Sequence, residues 1–367
     1  MKFSIQREVL LKPLQQVIGA VERRNTMAAL SNILFRTTKD RITLTATDME
    51  VELMAGIDVA VGETGETTLP ARKLLDICKA LPEEALLTLF TDGERGQVMS
   101  GRSRFTLSTL PASEFPVLDE ISVSRDFVIP ERVLKALIQR TAFAMANQDV
   151  RYYLNGLMLE VAKGAVKAVA TDGHRLSYCQ RAVPELEVEV PQQVIIPRKG
   201  VQELLRLLSD VETEARVQFG SNHLRISLPD LRFTTKLIDG RFPDYDRVIP
   251  RDGDKTIVME RETLRRALAR ASILSNEKYK GVRLLLDKGT LGIQAHNPEQ
   301  EKAEEELEVD YNGDSVDIGF NVSYLIEVLD AVSGSQIKLT LKDTNASALL
   351  QDPENEEALY VVMPMRL

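Results

Sequence analysis

The sequence predicts an α+β protein made of three tandem copies of one domain. Three observations predict it. Four markers recur in one order at a spacing near 125 residues. Each copy combines two stretches of 3.6-residue apolar periodicity with many short stretches of period 2, the signatures of amphipathic helices and half-buried strands. And 367 residues, 44% of them hydrophobic, suffice for two or three cores. A copy of this size can bury its own core, which a short solenoid repeat cannot.

The first marker is a short strand running into an amphipathic helix, at 3–14, 127–137 and 257–268. The second is an alternating β-branched run ending in a polar turn: Ile42-Thr-Leu-Thr-Ala-Thr-Asp48, Val166-Lys-Ala-Val-Ala-Thr-Asp172 and Leu291-Gly-Ile-Gln-Ala-His-Asn297. The third is another strand-to-helix step, at 69–81, 196–208 and 320–332. The fourth is a closing strand at 105–110, 233–238 and 359–364. Chance can produce one such triple, but not four in register. The domains are therefore expected at 1–124, 125–253 and 254–367.

Composition narrows the function. Cys78 and Cys179 cannot staple a chain of this length, which fits a reducing compartment. Charges at Lys2, Arg7, Glu8 and Lys12 interrupt any secretory apolar segment. No uncharged apolar run approaches the roughly 18 residues of a membrane span. A soluble, cytoplasmic protein with no membrane association is expected. His174, His223 and His296 lie far apart, and neither cysteine has a partner at zinc-site spacing. Glycine-rich phosphate loops and the G-x-S-x-G elbow are missing. No metal, cofactor or catalytic residue is expected. Asp172 and His174 could suggest an acid–base pair and hence a hydrolase, but no nucleophile or second catalytic motif accompanies them.

Charge is uneven. Residues 1–124 carry 14 basic and 17 acidic residues, 125–253 carry 19 and 17, and 254–367 carry 13 and 21. Overall acidity argues against a general polyanion binder. Yet the helix opening each copy is locally basic, with Arg7, Lys12, Arg23 and Arg24, then Arg132, Lys135 and Arg140, then Arg261, Arg265, Arg266 and Arg270. In the third, Leu264, Ala267, Leu268 and Ala271 supply an apolar face and the arginines occupy the remainder. Repetition in all three copies favours a shared basic surface. Arg95, Arg102 and Arg104 in the first domain complement Glu299, Glu301, Glu304, Glu305, Glu306 and Glu308 in the third. Patches at opposite ends of a chain permit a head-to-tail contact between two chains, which can close into a ring.

Longer motifs carry a resemblance. They include Pro70-Ala-Arg-Lys73, Ser100-Gly-Arg-Ser-Arg-Phe-Thr-Leu-Ser-Thr-Leu-Pro111, Gln148-Asp-Val-Arg-Tyr-Tyr-Leu-Asn-Gly156, Ala170-Thr-Asp-Gly-His-Arg-Leu176, Asp239-Gly-Arg-Phe-Pro-Asp-Tyr245, Ile273-Leu-Ser-Asn-Glu-Lys278 and Tyr360-Val-Val-Met-Pro-Met-Arg-Leu367. Over its whole length the chain resembles the bacterial DNA polymerase III β subunits, the sliding clamps. One departure is the segment Arg23-Arg-Asn-Thr-Met-Ala-Ala-Leu30, which lacks the prolines many members carry there.

The resemblance implies three DNA-clamp domains per chain and a head-to-tail homodimeric ring, with helices inside and sheets outside. It implies a non-catalytic processivity factor that encircles duplex DNA without sequence preference. Its implied partners are the replicative polymerase catalytic subunit, the clamp loader, and other polymerases, ligase and mismatch-repair proteins, all through short hydrophobic motifs. A scaffold that binds peptides without encircling DNA is the competing expectation. Site residues follow the same matching. The implied peptide pocket comprises Leu154, Thr171, Gly173, His174, Arg175, Leu176, Pro243, Arg247, Val248, Ser347, Val361, Val362, Met363, Pro364 and Met365. Its chemistry is aliphatic walls, adaptable methionines and an arginine rim. Pro364 has no N–H, so strand pairing is expected to stop at Val362 and leave the last residues free to line a groove. DNA contacts are implied for Arg24, Gln148, Arg151, Tyr152, Tyr153, Arg198, Lys199, Arg265 and Arg266, with the tyrosines stacking on bases. Phe105, Leu107, Ile273 and Leu274, flanked by Arg102, Arg104, Glu301 and Glu304, match the subunit interface.

Overall fold

The structure, a computed structural model, describes residues 1–22, 27–118 and 121–367, with Asp92 by its backbone alone. Helices α1 (Arg7–Val17), α2 (Ala71–Ala80), α3 (Glu131–Thr141), α4 (Arg198–Leu207), α5 (Arg261–Ser272) and α6 (Val322–Ala331) each begin on the residue after a strand. Pro70, Pro130 and Pro197 end three of those strands. A proline cannot donate to a ladder, and its fixed φ suits the turn into a helix. The Asn321 side chain caps α6, accepting a hydrogen bond from the Ser323 amide at 2.9 Å. Leu264, Ala267, Leu268 and Ala271 are the buried face of α5, as periodicity predicts.

The chain forms two compact units. The first comprises residues 1–132 and 199–237. It holds a five-stranded antiparallel sheet in the spatial order Val61–Glu63, Lys2–Gln6, Leu86–Asp92, Arg95–Ser100, Ser103–Ser108. Its larger sheet has eight strands: Val123–Pro130, Glu214–Gly220, His223–Leu228, Leu231–Lys236, Val51–Asp58, Arg41–Thr47, Asn32–Thr37 and Gly65–Pro70.

The second unit comprises residues 133–198 and 238–367. Its eight-stranded sheet runs Gln192–Pro197, Gly156–Ala162, Ala165–Thr171, Arg175–Ala182, Asn355–Val362, Ala348–Asp352, Gln336–Leu341, Lys255–Glu260. A four-stranded sheet, Lys302–Glu308, Thr290–His296, Gly281–Asp287, Val316–Asn321, packs with α5 and α6. Strands of the middle repeat therefore extend sheets begun by the first repeat and by the third. Sequence periodicity marks repeats in chain order, whereas compactness follows these shared sheets.

Two details emerge only in the fold. The glutamate run is itself an edge strand, Lys302–Glu308, because Ala303, Glu305 and Leu307 alternate inward and their neighbours face water. And Arg140 of α3 does not join a basic surface. With Arg181 it is largely buried against Glu357, which bridges strand Arg175–Ala182 to its neighbour Asn355–Val362.

Replacing Glu357 by Gln leaves two guanidinium groups facing a neutral amide. The expected cost is about 1–2 kcal/mol, under the buried-pair range because 37% of the Glu357 side chain stays in water. Burial raises the Glu357 pKa, but the bonds from Arg181 and Asn355 outweigh it and hold the carboxyl below its usual value. Such a carboxylate stabilises the fold fully above its unfolded pKa and ceases to as pH falls through the depressed one. Calorimetric unfolding of Glu357→Gln should show its full deficit at neutral pH and none in acid below that value.

Candidate functional site

In the second unit, one face of the eight-stranded sheet carries an apolar cluster. Pairing places Leu176 opposite Val361, Val361 opposite Leu349, Met158 opposite Val169, and Tyr178 opposite Leu359. Met158, Val169, Leu176, Ile195, Phe242 and Val361 form its buried floor. Tyr153, Tyr178, Ile238, Tyr245, Ile249, Leu349 and Leu359 pack around it and remain partly exposed. Period-2 alternation explains the floor, since every second residue of each strand faces this side. Leu154 is buried, Ser347 half-buried, and Pro243 and Val248 are exposed. Arg247 stands out at the rim, paired with Asp244 at 2.7 Å.

The 171–176 turn is held by its own side chains. Thr171 Oγ1 donates to the Arg175 carbonyl at 2.7 Å and accepts from the Gly173 amide at 3.1 Å. Asp172 Oδ1 accepts from the His174 and Arg175 amides at 2.9 and 3.0 Å. Gly173 has φ +86°, and a Cβ there would lie 3.0 Å from the Arg151 guanidinium, so glycine fits on both counts. Asp172 is thereby committed to backbone amides and to Arg175, which leaves His174 without an acid–base partner in this turn.

Arg175 is no rim residue. Its side chain is 10% exposed and lies between the Phe143 ring, 5.3 Å away, and the Tyr324 ring, 4.4 Å away. It bonds Asp172 Oδ2 at 3.2 Å, the Phe143 carbonyl at 2.9 Å, and Glu327 of α6. Burial lowers its pKa while Asp172 works in the opposite direction. His174 stacks on Tyr324 with ring centres 6.4 Å apart. The clamp thus fixes the turn against α6.

The C-terminal residues are held, not free. The Met363 amide donates to the His174 carbonyl at 2.8 Å, one step past Val362. Beyond Pro364, the Met365 amide donates to the Gly319 carbonyl at 2.8 Å. Leu367 fills notches at Gly281 and Gly319, where an added Cβ would lie 2.2 and 2.9 Å from its side chain. Pro364 breaks pairing with one sheet, and the tail then joins the other.

The nucleic-acid candidates divide. Arg24 lies outside the described residues. Gln148 sits in a left-handed turn at φ +58°. Arg151 grips Asp149 through two bonds of 3.0 and 2.9 Å and pulls that carboxyl down to about 2. Tyr152 and Tyr153 begin a single 3-10 turn, Tyr152–Leu154, where a strand would have set them on opposite faces. The turn still separates them: Tyr152 is 57% exposed, whereas Tyr153 packs on the apolar cluster. Arg198 donates to the Met145 carbonyl at 2.9 Å. Lys199 pairs with Asp48 and Glu22, which outweigh its burial and raise its pKa. On α5, Arg265 bonds Asp330 at 2.5 Å, and Arg266 pairs with Glu262 at 2.9 Å but stays 70% exposed.

In the first unit, Phe105 and Leu107 lie on the Ser103–Ser108 edge strand, with Arg102 and Arg104 exposed beside them. In the second unit, Ile273 directly follows α5 and is 75% exposed, with Leu274 half-buried. Glu304 pairs with Lys302 at 2.5 Å, and Glu301 accepts from Asn297 Nδ2 at 2.6 Å.

Sequence reasoning missed Phe242, Tyr245, Tyr178, Leu359 and the clamp partners Tyr324 and Glu327. One signal was available: Phe115-Pro-Val-Leu-Asp119 and Phe242-Pro-Asp-Tyr-Asp246 repeat the same pattern between domains. Nothing local in the sequence pairs Arg175 with a helix 150 residues downstream. No group of three or more metal-ligating side chains occurs among the described residues, and no helix there is long and apolar enough to cross a membrane.

Arg175→Met would leave Asp172 and Glu327 without their countercharge. It should cost about 2–4 kcal/mol, while Arg175→Lys, which keeps charge but not the fork, should cost less. Denaturant unfolding of the two variants checks the order.

Three family models cover the chain: the DNA polymerase III beta subunit N-terminal domain over residues 1–119, its central domain over 128–244, and its C-terminal domain over 246–366. The beta sliding clamps of Pseudomonas putida and Escherichia coli K12 are 54% and 48% identical to it, each over 100% of both chains. The crystal structure of the Pseudomonas aeruginosa DNA polymerase III subunit beta superposes with a TM-score of 0.97 at 52% identity, covering both chains fully. A second structure of the Pseudomonas aeruginosa clamp, bound to griselimycin, gives the same TM-score, identity and coverage.

Proposed function

Because the chain belongs to the DNA polymerase III beta subunit family, and so is a sliding clamp of three tandem clamp domains, we propose how its residues perform that task. The clamp is a processivity factor and performs no catalysis itself. Domains 1–124, 125–253 and 254–367 from each of two chains close head to tail into a ring around duplex DNA in the cytoplasm. The Ser103–Ser108 edge strand, with Phe105, Leu107, Arg102 and Arg104, meets Ile273, Leu274, Glu301 and Glu304 of a second copy. An isoleucine 75% exposed beside a helix end supports this, as does the complementary charge.

Encirclement holds the ring on DNA without tight contacts. Arg266, with help from Arg265, Arg198, Lys199, Arg24 and Arg151, attracts phosphates without reading sequence. Most of these side chains already hold an acidic or carbonyl partner, so each attracts DNA weakly, which suits sliding. Gln148 and Tyr152 lie on the same exposed loop, and Tyr152 offers a face for an unpaired base. Tyr153 serves the apolar cluster.

The observation that carries the tethering function is the apolar cluster of Leu176, Val361, Met158 and Phe242, with Tyr153, Tyr178, Tyr245, Leu349 and Leu359 partly exposed around it; in this reading Arg175 and the 363–365 tail border it. It suits a short hydrophobic segment of a partner protein, and the related Pseudomonas aeruginosa clamp has been solved bound to a ligand, griselimycin. The polymerase, the clamp loader, and other polymerases, ligase and mismatch-repair proteins would share it, because methionines repack around different ligands.

Ile273→Ala with Leu274→Ala should split the dimer into folded monomers and abolish retention on circular DNA. Sedimentation and a circular-versus-linear retention assay test it, and a fully dimeric variant would refute the interface. Deleting residues 363–367 should abolish capture of apolar peptides while leaving the dimer intact. Unchanged peptide affinity would refute the pocket.

A further inference from the structure

The two eight-stranded sheets repeat each other down to single hydrogen bonds. In the first unit, Thr47 Oγ1 donates to the Val51 carbonyl at 2.9 Å and accepts from the Met49 amide at 3.0 Å. Asp48 Oδ1 accepts from the Glu50 and Val51 amides at 2.9 and 2.7 Å. These are the bonds of the Thr171–Asp172 turn. The Lys236 amide donates to the Glu50 carbonyl at 2.8 Å, as Met363 does to His174. Phe115, buried like Phe242, begins the matching linker motif.

Register then gives the counterparts. Glu52 opposite Thr234 matches Leu176 opposite Val361, and Met54 opposite Arg232 matches Tyr178 opposite Leu359. Where the second unit has an apolar floor, the first has a carboxylate that is 5% exposed. Its Oε2 accepts from the Leu118 amide at 3.4 Å, and its Oε1 lies 3.9 Å from Arg232 Nη2.

We infer that Glu52 is the specificity-determining residue that confines hydrophobic-motif binding to one pocket per chain. An apolar side chain laid against Glu52 would seat on a carboxylate, completing its desolvation and offering it no hydrogen bond in return. The same side chain over Leu176 only adds apolar contact. The first unit keeps the scaffold of a peptide site and forbids its use, so partners compete for one pocket per chain. This inference rests on the pocket reading for the second unit.

The test uses the full-length dimer and a synthetic hexapeptide with leucine at alternate positions and one photoreactive leucine analogue. The native protein should bind one peptide per chain, with crosslinks on the Arg175–Ala182 and Asn355–Val362 strands. Glu52→Leu, Thr234→Val and Arg232→Leu together copy the second unit's floor. That variant should bind two peptides per chain and add crosslinks on the Val51–Asp58 strand. One peptide per chain in a folded variant overturns the inference and leaves the pocket reading standing. No crosslink in the second unit of the native protein overturns the pocket reading itself. If the triple variant does not fold, Glu52→Leu alone decides: a crosslink on the Val51–Asp58 strand supports the inference and its absence refutes it.

Discussion

Antiparallel pairing between strands of successive repeats is the constraint on which the rest depends. In the second unit, Arg175–Ala182 lies beside Asn355–Val362, and in the first, Val51–Asp58 lies beside Leu231–Lys236. Each pairing turns two four-stranded sets into one eight-stranded sheet. Backbone groups that would otherwise form open edges are satisfied there. The pairing also brings Leu176 to Val361, and the apolar cluster of the second unit depends on that neighbour.

Arginine is used in two opposed ways. Arg175, Arg140 and Arg181 are largely buried, and each is matched to carboxylates across a strand or helix boundary. Such groups fix geometry, because a guanidinium stripped of water must keep its partners. Arg266 is 70% exposed and shares Glu262, one turn away, with Arg265. An overall acidic protein can therefore carry exposed arginine on one helix face. The net charge of −9 is a sum over the whole chain and hides such local differences.

One scaffold repeated in a chain need not yield one function repeated. The Thr–Asp turn recurs with the same hydrogen bonds, but the residue four positions past the aspartate is Glu52 in one copy and Leu176 in the other. A backbone motif preserves shape, and the side chain at that position, carboxylate in one copy and alkyl in the other, sets the chemistry of the sheet face. The tail adds a second asymmetry, since Met363–Leu367 has its own notches in the glycines of the four-stranded sheet.

By itself the sequence determined the α+β class, the threefold repeat, the six strand-to-helix steps and the buried face of α5. These follow from local periodicity and from residues a few positions apart, and the absence of catalytic spacing is local in the same sense. The residues proposed for the pocket could be named only through long matching motifs, because a pocket is a matter of neighbours in space. Tertiary structure alone decided that Arg175 is a buried clamp, that Tyr152 and Tyr153 part company on a 3-10 turn, and that the tail is anchored past Pro364. It also decided that the glutamate run forms an edge strand. Each depends on which distant strand or helix arrives alongside, and periodicity carries no information about a partner that far along the chain.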